Sequence, residues 1–211
     1  MRKITIINLG IVFLSLGTAF YFYGVMPETV ASHWNAQGQV DGYMSKFWGM
    51  FLMPLISLAM LFFLLIIPKI DPLKANIEKF KKYFDVLISA ILIFLFYIYL
   101  LTIFWNLGYE FNMSRFMAPA MGMLFYACGF LIGKSKRNYF IGIRTPWTLY
   151  SDEVWDKTHK LGAKLFKLAG LLALFGAIFP KQAILFILVP VIAATIFLLA
   201  YSYFVYRHAQ R

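Results

Sequence analysis

Six long apolar runs constrain this 211-residue chain more than any other feature. A helix needs about 20 apolar residues to cross the hydrocarbon core of a bilayer. Because lipid offers the backbone no hydrogen-bond partners, such runs have to be helical. The sequence therefore predicts an all-α, polytopic membrane protein with six transmembrane helices. The predicted spans are Ile4–Val25, Phe47–Ile67, Val86–Trp105, Phe116–Ile132, Leu165–Phe179 and Gln182–Tyr203.

The fifth run is short, and we expect its helix to begin further upstream. Ser151 has a side chain suited to an N-cap. Asp152 and Glu153 would then lie in the first turn, where the helix dipole favours anions. The sequence predicts one helix that runs from Ser151 into the fifth span.

The formal net charge of +11 indicates membrane topology by its distribution. With the N-terminus inside, 17 of the 20 Lys and Arg residues fall in cytoplasmic segments and 3 fall outside, as the positive-inside rule requires. We predict a multi-pass protein of the cell membrane with both termini cytoplasmic. The basic residues are then expected to contact anionic lipid, and no direct nucleic-acid partner is predicted.

The predicted outer loop, Met26–Lys46, is longer than a connector between two spans needs to be. It combines an aromatic ring, an imidazole, a carboxylate and turn-forming residues, which suggests a shaped recognition surface. In the alternative interpretation the loop folds back as a cap over the helices, with Trp34 and Tyr43 as interface anchors. The predicted ligand-binding residues are His33, Trp34, Asn35, Gly38 and Asp41.

A second polar block, Gly133–Phe166, is predicted on the cytoplasmic face. Its first part is expected to be irregular, because Pro146 disfavours helical backbone at Thr145. Trp147 and Trp155 have the character of interfacial anchors. We refer to this block as the inner block.

Charged residues of the inner block suggest local ties. Arg144 is predicted to hold the loop down by donating to backbone carbonyls or to Asp152 and Asp156. The two aspartates and His159 share one helix face. We interpret that face as solvated and salt-bridged, with a divalent metal site as the alternative. A lysine stripe suggests contact with lipid headgroups, and it contains Lys157, Lys160, Lys164 and Lys167.

No catalytic residues and no cofactor are predicted. The three histidines fall in three separate segments, so no Ser/His/Asp or Cys/His site can be assembled. An enzyme is therefore the less favoured class. The alternative function is a membrane-embedded, metal-dependent enzyme in which Glu28, His33 and Asp41 leave an open zinc position.

Two motifs carry a family resemblance. The outer loop, with Pro27-Glu28, "HWN" at 33–35, Gly38 and "DG" at 41–42, resembles the "P…HWN..G..DG" domain at the N-terminus of the SdpI family. The inner block, from Asn138 through "IGIRTPWTLYSDEVWDKTH", is similar to the C-terminal signature of that family. The signature residues are Asn138, Gly142, Arg144, Thr145, Pro146, Trp147, Trp155 and His159.

The resemblance implies a bacterial or archaeal membrane protein with a role in immunity and signal transduction. The best-known member protects against a secreted, membrane-active, sporulation-delaying peptide toxin and holds a small repressor at the membrane. A peptide toxin and a cytoplasmic repressor are thus the implied partners. We predict one integral membrane domain over residues 1–211. Residues 4–67 would hold the first helix pair and the extracellular loop, and 116–203 the SdpI-like region with its cytoplasmic 133–164 block.

Overall fold

The computed structural model describes residues 3–210. Six of its helices are long and apolar enough to cross a membrane, which confirms the predicted all-α, polytopic class. In chain order the elements are α1 (Lys3–Tyr23), β1 (Thr29–Trp34), β2 (Val40–Ser45), α2 (Lys46–Ile70), α3 (Lys74–Asn106), α4 (Met113–Ile132), α5 (Pro146–Tyr150), α6 (Asp152–Ala173), α7 (Phe175–Ile178), a 3-10 turn (Pro180–Gln182) and α8 (Ala183–Ala209).

The six long helices form two triads. Helices α1, α2 and α3 pack together as the N-terminal triad, and α4, α6 and α8 form the C-terminal triad. Glycines allow α4 and α6 to approach closely, since a Cβ atom on Gly122 would lie 2.6 Å from the Gly170 carbonyl oxygen. Helices α3 and α4 join the triads, whereas α2 and α8 do not pack closely along their described residues. The gap between them is called the α2–α8 seam below.

The fifth span begins where the sequence predicts. Ser151 is the N-cap of α6, and its hydroxyl accepts from the Val154 N–H at 3.4 Å. Asp152 and Glu153 occupy the first turn. The span Asp152–Ile178 has 27 residues, so the upstream start gives it ample length to cross the bilayer.

Two short elements were not predicted. The outer loop forms an antiparallel hairpin of β1 and β2. The inner block contains the single-turn helix α5, so the prediction of irregular structure is wrong there. Thr145 and Thr148 form a capping box at its start. Pro146 follows the cap, at the first helical position, where its missing N–H costs no hydrogen bond.

The polar segments gather at two opposite ends, as six spans require. At the hairpin end, the Asn112 Nδ2 donates to the Gln37 carbonyl at 2.8 Å. At the other end, the Asn76 Nδ2 donates to the Arg137 carbonyl at 2.9 Å. The charge pattern predicts that the hairpin end is external, and that orientation stays a prediction. The two ends are called outer and inner below.

Candidate functional site

Asn106, at the end of α3, fixes the hairpin to the N-terminal triad. Its Oδ1 accepts from the Ala31 N–H at 2.7 Å, and its Nδ2 donates to the Ala31 carbonyl at 3.0 Å. A second bond from Nδ2 to the Thr102 carbonyl at 2.8 Å orients the amide. The side chain thus pairs with the edge of β1 as a third strand would. Sequence analysis missed Asn106, although an asparagine at the end of an apolar span is a usable signal.

The hairpin turn rests on the loop before α4. The Asn35 Oδ1 accepts from the Gln37 and Gln39 N–H groups, both at 3.0 Å, which shapes an Asx turn. Gly38 has φ +78°, and a Cβ atom there would lie 2.5 Å from the Asn112 Oδ1. Asn35 and Gly38 therefore set the shape of the turn, while Asn112, which sequence analysis also missed, holds it in place.

His33 and Asp41 are brought together by irregular pairing of the two strands. His33 pairs with Gly42, and the register shifts on both sides of it. Such bulges re-aim side chains. The His33 Nδ1 lies 2.5 Å from the Asp41 Oδ1, and both side chains reach solvent. The pair forms a polar edge on the outer surface of the hairpin.

Trp34 lies under the hairpin, packed edge-to-face on Trp105 with ring centroids 5.9 Å apart. Its indole N–H is buried and has no acceptor among the described residues. Tyr43 is 63% exposed. The cap interpretation therefore describes Trp34, which contacts the helices, better than it describes Tyr43.

The hairpin roofs a cavity of about 550 Å³, called the outer cavity below. His33, Trp34 and Asn35 line it from above, and residues of α2, α3, α4 and α8 form its walls. Trp48 on α2 and Ile184 on α8 both line the cavity and remain exposed. The cavity therefore opens sideways at the outer end of the α2–α8 seam.

Methionines make the outer cavity adaptable. Its lining includes Met44, Met53, Met113 and Met117. Methionine side chains are flexible and polarisable, and they suit surfaces that accept varied apolar partners. The sequence spreads these four residues over three elements, so their convergence is visible only in the fold.

The structure does not gather the three residues considered for zinc. Glu28 pairs with Lys46 at 3.3 Å, away from the contact between His33 and Asp41. Within residues 3–210 no group of three or more His, Cys, Asp and Glu side chains is arranged to hold a metal ion. His33 and Asp41 remain together as a polar pair.

Asn138 organises the inner block. Its side chain is fully buried and donates to the Lys136 and Ile141 carbonyls at 2.8 and 2.9 Å. Its Oδ1 accepts from the Phe140 and Ile141 N–H groups at 2.9 and 2.6 Å. One asparagine thus satisfies four backbone groups of a loop that has no regular ladder.

His159 and Trp155 form the buried centre of the inner block. Their rings stack with centroids 3.9 Å apart. The His159 Nδ1 lies 2.8 Å from the Trp155 carbonyl, and its Nε2 accepts from the Ile143 N–H at 2.9 Å. Gly142, with φ +113°, passes so close that a Cβ atom would lie 2.5 Å from the His159 Nε2.

These contacts correct two predictions. Trp155 is 0% exposed, and its indole N–H donates to the Ser135 carbonyl at 3.2 Å. It is therefore a core residue, and the interpretation as an interfacial anchor is wrong. His159 is equally buried, with both ring nitrogens engaged by the backbone. It does not belong to a solvated helix face, and it has no free nitrogen to bind a metal.

The charged residues of the inner block pair in a specific order. The Arg137 Nε lies 2.8 Å from the Asp152 Oδ1, and the Lys136 Nζ lies 3.1 Å from the Asp156 carboxylate. These pairs agree with the predicted salt-bridged face. Arg144 donates instead to the Tyr139 carbonyl at 2.8 Å. It ties the loop through the backbone, which is one of its two predicted modes.

Contacts with α8 complete the inner block. The Thr145 hydroxyl lies 3.1 Å from the Ser202 hydroxyl. Trp147 packs edge-to-face on Tyr203 with ring centroids 5.1 Å apart. On the other side, the Tyr139 N–H donates to Asp71, just after α2, at 2.8 Å. The inner block therefore bridges the two triads, and the signature residues build its scaffold.

Comparison with known proteins agrees with the resemblance of the inner block to the SdpI family. Residues 134–202 match the model of the SdpI/YfhL protein family, and residues 10–58 match that of the Domain of unknown function (DUF1648). The chain is 27% identical over 210 residues to the "Immunity protein SdpI" of Bacillus subtilis (strain 168), covering 98% of this chain and 97% of the relative. No solved structure matches the chain.

Proposed function

We propose, since the chain belongs to the SdpI/YfhL protein family, that it is an immunity protein of the cell membrane. In this proposal it captures a secreted, membrane-active peptide toxin at its outer face. The observation that carries the proposal is the outer cavity roofed by the hairpin that presents His33, Trp34 and Asn35. The name of the relative supports the immunity role. The outer cavity supports a binding site for the toxin at the hairpin.

The shape and chemistry of the outer cavity suit parts of a peptide. A volume of about 550 Å³ lies within the usual range for ligand sites. It is large enough for a few apolar side chains, and the methionine lining can adapt to them. The Trp34 ring supplies an aromatic surface, and His33 beside Asp41 adds polar groups at the roof.

The route of entry also suits a membrane-active peptide. Such a peptide partitions into the outer leaflet before it does damage, so a receptor gains by meeting it there. The outer cavity opens between Trp48 and Ile184, which are exposed on two helices long and apolar enough to cross a membrane. An amphipathic segment could enter from the side, with its polar face toward the hairpin.

The test is protection of a toxin-sensitive strain that expresses the chain. Cells with the wild type should survive the sporulation-delaying peptide toxin. Trp34→Ala should lose protection at equal membrane abundance, because losing one aromatic anchor commonly costs about 2 kcal/mol, or about thirtyfold in affinity. His33→Ala should weaken protection by a smaller factor, since its side chain is largely exposed.

Tyr43→Ala is the matched control, because Tyr43 lies on the same hairpin but does not line the outer cavity. It should protect as the wild type does. Full protection by Trp34→Ala and His33→Ala would contradict recognition by the hairpin. Equal loss in all three variants would point to hairpin folding instead of ligand contact.

A second part of the proposal concerns the cytoplasmic face, where the inner block would hold a small repressor. Tyr150 is 70% exposed, and its carbonyl accepts from the Arg137 guanidinium at 3.2 Å. An exposed aromatic ring next to an arginine suits a protein interface. We expect a fluorescent repressor to move to the membrane when toxin is added to cells. Tyr150→Ala should abolish this movement without loss of immunity, whereas unchanged movement would exclude Tyr150 from the interface.

A further inference from the structure

A second cavity lies at the inner end of the α2–α8 seam and has a volume of about 720 Å³. Leu64 on α2, Phe84 on α3, Leu131 on α4 and Leu198 on α8 form its walls, and residues 139–144 close it below. We call it the inner cavity. Apolar cavities bind water poorly, so we expect hydrocarbon to occupy this one.

The inner cavity is open to the lipid side. Phe63 on α2 is 52% exposed and Leu199 on α8 is 46% exposed, and both line the cavity. The two helices do not pack closely along the seam. An acyl chain can therefore enter between them from the bilayer without crossing a polar barrier.

The Arg144 guanidinium lies at the inner rim of this cavity. Arg144 lines it and donates one hydrogen bond, to the Tyr139 carbonyl. Among the described residues no carboxylate forms an ion pair with Arg144. The two aspartates expected to do so pair elsewhere, Asp152 with Arg137 and Asp156 with Lys136. The guanidinium has five N–H donors, and its planar fork matches the oxygens of a phosphate.

We propose that the inner cavity binds one anionic glycerophospholipid of the inner leaflet. An acyl chain lies in the cavity between α2 and α8, and the phosphate binds the Arg144 guanidinium. The site lies at the opposite end of the seam from the outer cavity, so it goes beyond toxin capture. One arginine near the membrane surface should favour the anionic lipid about fivefold.

Native mass spectrometry of the purified protein tests how much the Arg144 charge contributes to lipid binding. Detergent micelles would carry phosphatidylglycerol or phosphatidylcholine with identical acyl chains. The wild type should retain one phosphatidylglycerol molecule in preference to phosphatidylcholine. Arg144→Gln should weaken phosphatidylglycerol binding about fivefold and phosphatidylcholine binding less, because the variant loses the positive charge and the choline of phosphatidylcholine already balances the charge of its phosphate. Free glycerol phosphate should not compete, since it lacks the acyl chain.

Lys164→Gln is the matched control for charge, because it removes one exposed cation that does not line the cavity. It should bind as the wild type does. Equal weakening by Arg144→Gln and Lys164→Gln would overturn the site in favour of a diffuse basic face. Arg144→Lys keeps the charge without the fork and should lose less than Arg144→Gln.

Leu199→Trp tests whether an acyl chain occupies the inner cavity. It places a large ring at the half-exposed opening of that cavity, where there is room for it. It should reduce the binding of both lipids. Leu188→Trp, on the exposed part of α8 outside the cavity, should reduce neither. Undiminished lipid binding by a monodisperse Leu199→Trp protein would overturn the proposal.

Discussion

Replacing Asn106 with leucine should release the hairpin from the helices while leaving the helices folded. Leucine has nearly the same volume but cannot bond to Ala31. The Ala31 N–H and carbonyl are buried, with Ala31 only 1% exposed. Each would lose its partner at 2.7 and 3.0 Å. The attachment of the hairpin to the helices therefore depends on the Asn106 side chain, which is 75 residues from Ala31 in sequence.

The magnitude follows from two unsatisfied backbone groups. An unpaired buried donor or acceptor costs about 1 to 3 kcal/mol. Some relief is expected when water reaches the loosened edge of β1, so we expect the opening free energy of the hairpin to fall by about 2 to 4 kcal/mol. This corresponds to an increase of about thirtyfold to a thousandfold in the open population.

Hydrogen exchange measured by mass spectrometry reports this opening. Peptides from residues 26–46 should exchange faster by that factor in Asn106→Leu, while peptides from α3 and α6 should not change. Asn76→Leu is the matched control, because Asn76 anchors the inner block instead. Unchanged exchange in the hairpin of Asn106→Leu would refute the role of this amide.

Two further predictions concern the inner block and the topology. Gly142→Ala should lower the free energy of unfolding by more than about 2 kcal/mol, because Gly142 has a positive φ and lies close to His159. Gly108→Ala is the control and should cost about 1 kcal/mol, since Gly108 has φ +96° but open space around it. Thermal melting in detergent measures both, and equal effects would show that the contact with His159 contributes nothing. In a Cys128→Ser background, a cysteine replacing Gln37 should react with an impermeant maleimide on intact cells, and one replacing Lys136 only after lysis. The reverse pattern would invert the orientation.

The helices could be predicted from sequence because lipid leaves the backbone no other choice. Local chemistry also predicted the start of α6, since Ser151 and the two acidic residues after it act within one turn. Each of these features depends on neighbours in sequence.

Features that depend on distant contacts were not predictable. The hairpin needs Asn106 to complete the edge of β1, and the outer cavity needs methionines from three elements. The burial of Trp155 depends on the Ser135 carbonyl, which the loop places over its indole N–H. A tryptophan near a span end looks the same in sequence whether it faces lipid or is covered by a loop.

Site-specific photo-crosslinking tests the central claim, capture of a peptide in the outer cavity, most directly. A photoreactive residue at Ile184 faces the outer cavity, while one at Leu185 lies at the same depth on α8 but outside it. With the sporulation-delaying peptide toxin added to intact cells, we predict a cross-link from Ile184 and little from Leu185. Equal cross-linking from both, or none from Ile184 in cells that remain protected, would contradict capture in the outer cavity.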